Sequence, residues 1–150
     1  DGDLPGATVL VPGCSAAKPQ KRWPAERFAA IATAEMETGR KVAIVGTAAD
    51  REVADAVMKV APGCVDLVGR TGLGELAALF RHASAAIGND TGPTFLAARV
   101  GTPTLMLMGS DTDPSMSAPV GARAGWLRED RISEIASDDA LAALNRLRSG

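Results

Sequence analysis

A chain of 150 residues, 46% hydrophobic and 23% charged, has the size and balance of one folded α/β domain, and that hydrophobic share excludes a disordered segment. No apolar run approaches the roughly 20 residues a bilayer span needs. A formal net charge of −2 leaves no bulk basic field for a nucleic acid, so any anion site is local. Cys14, Cys64 and the single histidine, His82, are too few for a disulfide framework, a four-ligand zinc site or a histidine-rich metal site, and they disfavour a Ser-His-Asp triad. The acidic start Asp1-Gly2-Asp3 has no hydrophobic stretch behind it and does not read as a signal peptide. Reduced thiols and the lack of an export signal favour the cytoplasm. The first residue is Asp1 and not methionine, so the expectation is a processed product or a piece of something longer.

In chain order, short apolar runs at 8–11, 41–45, 65–68, 85–87 and 104–108 predict strands buried on both faces, because none alternates strictly between polar and apolar. Each is followed within a residue or two by a glycine: Gly13, Gly46, Gly69, Gly88 and Gly109. A sixth, weaker strand is expected at 125–127. Helical periods fill the gaps. Phe28, Ile31, Ala32 and Met36 share a face, with Pro24 at the first turn. Val53, Val57 and Val60 mark a second helix. Leu73, Leu76, Ala77 and Phe80 mark a third, with Thr71 as its N-cap. A fourth runs from Pro93 to Val100, ended by Gly101, and a last one spans 139–147 with Asp138 as cap. Glu26, Arg27, Glu35, Arg51, Asp55 and Arg146 read as a solvated face. Residues 112–123, rich in Pro, Ser and Gly, read as a long loop.

This β-α alternation predicts an α/β fold, a Rossmann-like parallel sheet with helices on both faces. In the usual order 3-2-1-4-5-6 the chain reverses between strands one and four, and ligands bind there at the carboxyl ends. The loops at 12–23 and 88–93 should therefore hold the site. The first carries a glycine turn, Ser15, and the cations Lys18, Lys21 and Arg22. The second, Gly88-Asn89-Asp90-Thr91-Gly92-Pro93, leads into a helix whose first amides favour an anion. A basic loop facing a helix start suits a diphosphate. The standard P-loop and dinucleotide glycine patterns are absent, and Gly69-Arg70-Thr71-Gly72-Leu73-Gly74 has the wrong spacing for either.

Four segments in register resemble the glycosyltransferase family 9 heptosyltransferases, the ADP-heptose:lipopolysaccharide transferases, along roughly residues 8–120. They are Pro12-Gly13 with Lys21-Arg22-Trp23-Pro24-Ala25-Glu26-Arg27-Phe28, the run from Gly69 to Leu79, the run from Ala86 to Ala98, and Gly101-Thr102-Pro103 with the stretch from Gly109 to Pro114. The resemblance implies the C-terminal half of a GT-B fold, a single nucleotide-sugar-binding domain over 1–150 that lacks its N-terminal acceptor domain and the base carried there. It implies a nucleotide-sugar donor, with the ADP-sugar a substrate and no cofactor or metal. It also implies a lipopolysaccharide-core acceptor reached through the missing domain, and a place in the cytoplasm or peripherally at the inner membrane. Lys21 would contact the donor diphosphate and Ser15 a phosphate. Asp90, Thr91, Gly92 and Pro93 would hold sugar and diphosphate, Asp50 or Glu52 the ribose, and Arg70, Thr71 and Leu73 the base. Lys21 and Asp90 would be the residues closest to catalysis. The family's usual histidine is Phe95 here, and Thr94 replaces the usual methionine or serine, which bears on the donor sugar.

Other readings are a non-catalytic nucleotide-binding module, favoured by Phe95, and another GT-B enzyme such as a nucleotide-sugar 2-epimerase, which needs more catalytic groups than His82 supplies. Lys21 and Arg22 could be plain solvated charges and Asp90 a helix cap. Trp23 reads as a packing anchor, His82 as an exposed helix-end residue and Cys64 as a small apolar filler. Cys14 lacks a neighbour to activate it. Asp111 and Asp113 read as loop caps and not a metal pair, and Leu105-Met106-Leu107-Met108 as core.

Overall fold

A computed structural model describes residues 4–13 and 22–150. Its six strands are β1 (Thr8–Val11), β2 (Val42–Ile44), β3 (Val65–Asp66), β4 (Ala85–Asn89), β5 (Thr104–Met108) and β6 (Ala124–Arg128). They form one sheet in the order β3-β2-β1-β4-β5-β6, every neighbouring pair parallel. The helices are α1 (Ala25–Glu37), α2 (Arg51–Val60), α3 (Leu73–His82), α4 (Gly92–Arg99), α5 (Pro114–Ser117) and α6 (Ser137–Ser149).

The alternating side chains of β1 explain the two layers. Leu10 packs with Phe28 and Ile31 of α1, Val57 of α2 and Leu144 of α6 on one face. Val9 and Val11 pack with Leu76 and Phe80 of α3 and Ala97 of α4 on the other. A strand sandwiched this way is apolar on both sides, which is why the sequence shows unbroken runs and not alternation. Trp23 anchors the first layer. It is fully buried, its ring meets Phe28 edge-to-face at 5.0 Å, and its indole N–H donates to the Ile135 carbonyl at 3.0 Å.

Several expected boundaries shift, each for a local reason. Gly72, not Thr71, caps α3, because Glu75 reaches back to accept from the Gly72 amide at 2.9 Å. Ala136 precedes α6, so Asp138 lies inside its first turn, where a carboxylate complements the dipole. Pro24 is the N-cap of α1 and not within its first turn. The loop at 112–123 contains α5, which Asp113 caps by accepting from the Ser115 amide at 3.0 Å. On α2 the buried residues are Ala54 and Val57, while Val60 is 60% exposed.

Glu35 departs most from expectation. It belongs to no solvated face: it is 1% exposed. Its carboxylate accepts from Thr8 Oγ1 of β1 and Arg148 Nη2 of α6, with Arg40 at 3.4 Å on its other oxygen. Thr8 and Arg148 are distant from Glu35 in sequence, so helical periodicity alone could not reveal them. Among the described residues, no helix is long and apolar enough to cross a membrane.

Candidate nucleotide-sugar site

The reversal in strand order falls between β1 and β4, and an open cleft of about 370 Å³ lies at the carboxyl ends there. Its walls come from Val11 at the end of β1 and Gly13 just beyond it, from Gly46, Thr47 and Asp50 after β2, from Thr71 and Leu76 at the start of α3, and from Thr91 and Pro93 at the start of α4. Strand geometry thus gathers four separate loops at one place.

Asp50 forms one wall. Its Oδ2 accepts from the Thr47 amide at 2.8 Å and from the Thr47 hydroxyl at 3.4 Å, in the turn between β2 and α2. The Gly13 backbone lies so close that a Cβ there would sit 2.3 Å from the Asp50 Cγ, and a Cβ on Gly46 would sit 2.7 Å from Oδ2. Both glycines therefore leave the volume in which this carboxylate sits.

The α4 wall is built by close approach as well. A Cβ on Gly88 would fall 2.4 Å from Thr94 Oγ1 and 2.7 Å from Val11 Cβ, so only glycine lets the start of α4 settle on β1 and β4. Thr91 is the N-cap, extended at φ −143° and ψ 163°, with no side-chain cap bond. Its hydroxyl lies 3.3 Å from the Thr94 hydroxyl. The first-turn amides of such a helix have no intrahelical acceptor, and the dipole adds positive potential. That end of the cleft suits an anion.

Asn89 is the residue the sequence reading passed over. Fully buried, its side-chain oxygen accepts from the Trp23 amide at 2.9 Å, and its Nδ2 donates to the carbonyls of Pro12 at 2.9 Å and Gly13 at 3.3 Å. One amide thus ties both described ends of the loop after β1 to the end of β4. The available signal was its place in the Gly88–Pro93 motif. An asparagine there could equally have been a turn former, so its partners were not legible.

Thr91, and not Asp90, is the N-cap of α4. The Asp90 carboxylate accepts from Thr112 Oγ1 at 3.0 Å, across the sheet end toward β5. Of the two acidic candidates for the ribose, Asp50 lines the cleft, whereas Glu52 is exposed on α2 and lines none of it. Thr71 lines this cleft, but Arg70 does not. Arg70 lines a second cleft of about 400 Å³ that also touches Thr71, Glu75, Leu79 and His82 of α3. Leu73 is 75% exposed at the start of α3 and lines neither. Gly92 is exposed at the first position of α4. Ser15, Lys21 and Cys14 lie outside the described residues.

The remaining single-residue readings are decided locally. His82 is exposed in the last turn of α3. Cys64 packs against the α1–α2 layer. Asp113 caps α5, and the Ser115 hydroxyl and amide hold its carboxyl below the ordinary range. Met106 and Met108 are fully buried in β5.

The family model described as glycosyltransferase family 9 (heptosyltransferase) matches residues 5–142. Lipooligosaccharide heptosyltransferase 2 of Haemophilus influenzae is 32% identical over 132 residues, covering 83% of this chain and 38% of that protein. Lipopolysaccharide heptosyltransferase 3 of Escherichia coli is 31% identical over 148 residues, covering 85% of this chain and 43% of that protein. The solved family 9 glycosyl transferase of Veillonella parvula superposes with a TM-score of 0.86 at 26% identity, over 96% of this chain and 46% of that one. The chain therefore spans less than half the length of these relatives. With the model matched from Pro5 to Ala142 and the fold shared with solved members, the chain belongs to glycosyltransferase family 9, the heptosyltransferases.

Proposed function

We propose that this chain is the C-terminal, donor-binding half of a GT-B glycosyltransferase that moves heptose, or a similar sugar, from ADP onto a lipopolysaccharide-core acceptor. The observation that carries the reading is a family 9 match over residues 5–142 in a chain whose cleft lies at the β1/β4 reversal. The relatives are heptosyltransferases by name, and a solved E. coli heptosyltransferase that shares the fold holds ADP. In the proposed arrangement the diphosphate lies at the start of α4, by Thr91, Gly92 and Pro93, and Lys21 and Ser15 contact it. Asp50 takes the ribose hydroxyls and Asp90 the sugar.

The chemistry is a displacement at the anomeric carbon. The acceptor oxygen bonds to that carbon as the bond to the diphosphate oxygen breaks, and ADP leaves with the electron pair. The acceptor's proton passes to a base in the other half of the enzyme. What this half supplies is preorganised positive potential where charge develops on the leaving diphosphate.

Phe95 in place of the family's usual histidine supports a second reading, a nucleotide-binding module without transfer. One set of measurements on the full-length protein separates the two. Transfer from ADP-heptose to a lipopolysaccharide-core acceptor is expected, with ADP bound in preference to UDP and GDP. Lys21→Ala should weaken ADP binding by about 1.5–3 kcal/mol, the scale of a hydrogen bond to a charged group. ADP binding without transfer would favour the module. A preference for UDP or GDP would remove the ADP-heptose assignment, and an unchanged ADP affinity in Lys21→Ala would make the basic loop a solvated surface.

A further inference from the structure

We infer that the cleft at the carboxyl ends of β5 and β6 is a second subsite, which takes an acidic sugar of the acceptor and holds its carboxylate or phosphate with Arg22 and Arg131. The inference rests on the transferase reading for the nature of its ligand. The cleft has a volume of about 280 Å³ and is lined by Arg22, Ser110, Asp111, Asp130, Arg131 and Ser133.

Bonds around Trp23 bring these walls together. The Trp23 amide is held by Asn89 at the end of β4, and its indole N–H by the Ile135 carbonyl beyond β6. Arg27 of α1 donates from Nε to the Ser133 carbonyl at 3.0 Å. Arg22, the neighbour of Trp23, is thereby set beside the segment that carries Arg131. That segment is fixed in turn, because the Arg131 amide donates to Glu134 Oε1 at 3.1 Å and Ile132 is buried in the core. The Ser110 amide donates to the Asp130 carbonyl at 3.2 Å, which joins the turn after β5 to the one after β6.

Among the described residues neither guanidinium has an ion-pair partner, and the Arg22 Nε is buried without a hydrogen-bond acceptor. A guanidinium drawn partly out of water with no acceptor loses solvation and gains nothing in return. A carboxylate or phosphate in the cleft gives its terminal N–H groups acceptors in the planar geometry they prefer. Two aspartates line the cleft along with the two arginines, so it carries no net positive charge and does not collect polyanions such as a nucleoside diphosphate. One anionic group with hydroxyls around it fits, the hydroxyls pairing with Asp130 and the serines. β6 stands two strands from β4, about 10 Å at the usual spacing, so a sugar held here lies beside the donor cleft on the same end of the sheet.

The test is calorimetry on the full-length protein with a lipopolysaccharide-core oligosaccharide in three forms: intact, dephosphorylated and carboxyl-reduced. ADP affinity and thermal unfolding are followed alongside. Arg22→Gln and Arg131→Gln should each weaken binding of the intact oligosaccharide about tenfold, the low end for a hydrogen bond to a charged group, and leave ADP within about twofold. Arg131 is exposed, and its variant serves if Arg22→Gln fails to fold. The wild type should lose about tenfold toward one of the two stripped forms, which tells phosphate from carboxylate. Toward that form the arginine variants should lose less than about twofold more, because side chain and anion act through one contact. Unchanged affinity for the intact oligosaccharide in the variants, no wild-type loss toward either stripped form, equal losses for ADP and oligosaccharide, or a further tenfold loss toward the stripped form would each overturn the inference. Transfer assays on the same proteins keep subsite and reaction apart: the expected losses in a protein that transfers no heptose would leave the subsite standing and remove the transferase reading.

Discussion

Asp50 and Asp90 are both carboxylates beyond strand ends, and their neighbours give them different surroundings. Asp50 is held by the turn that carries it, through the Thr47 amide, and packs against the Gly13 and Gly46 backbones. Asp90 is reached from another strand connection, through Thr112. The sequence reading placed both near the site from their position after strands, but could not choose between Asp50 and Glu52, which lie two residues apart. The turn before α2 makes that choice by directing Asp50 to the cleft and Glu52 to solvent. Cys64 shows a residue whose chemistry follows from packing alone. Burial pushes its thiol up to about 11. The folded protein then keeps a proton that the unfolded chain releases, so this group's contribution to stability is lost as pH rises from the ordinary thiol range toward 11. At about pH 8 alkylation of the native protein should leave the Cys64 peptide largely unmodified, and unfolding should expose it, because the thiolate is the nucleophile. Rapid native labelling of that peptide, followed by mass spectrometry, would contradict this.

At the scale of elements, the strands were legible because burial on both faces leaves an unbroken apolar signature, and β4 and β5 are buried at every position. The short edge strand β3 was harder: only Val65–Asp66 pairs, while Val68 is buried beyond the ladder. Helix starts were read less well. Caps depend on one hydrogen bond, and Glu75 on Gly72 wins over Thr71. The junction between β1 and β4 depends on Asn89, whose three bonds no sequence period encodes. Asn89→Ala leaves the Trp23 amide and the Pro12 and Gly13 carbonyls without this partner. Each buried group so stranded costs about 1–3 kcal/mol, so urea unfolding should show a loss of at least about 2 kcal/mol. Asn89→Asp should not rescue it, since a carboxylate faces those two carbonyls with no hydrogen to donate. A loss within about 0.5 kcal/mol, the usual range for surface substitutions, would show that the junction is held by other contacts.

Across the whole molecule, the cleft and the buried Glu35 cluster lie at opposite ends of β1, since Thr8 begins that strand and Val11 ends it. The cluster joins β1, α1 and α6, so it ties the last helix to the first layer. The Glu35 side chain is 2% exposed and that of Arg148 13%. Breaking such a pair from one side strands a buried charge and costs about 3–5 kcal/mol, whereas replacing both partners by apolar groups is often near neutral. Arg148→Met should therefore lower stability by about 3 kcal/mol or more, and adding Glu35→Leu should recover much of it. Equal stability of wild type and Arg148→Met in chemical denaturation would show that the pair is surface-like despite its burial. Glu35 was misread because Thr8 and Arg148, which hold one of its oxygens, lie on elements far away in sequence.

The central claim is that the cleft at the β1/β4 reversal is where the nucleotide sits. A crystal structure of the full-length protein with ADP tests it most directly. The account predicts the diphosphate at the start of α4, beside Thr91 and Gly92, and the ribose toward Asp50. ADP bound instead behind α3 beside Arg70 and His82, or at the ends of β5 and β6 between Ser110 and Arg131, would contradict it.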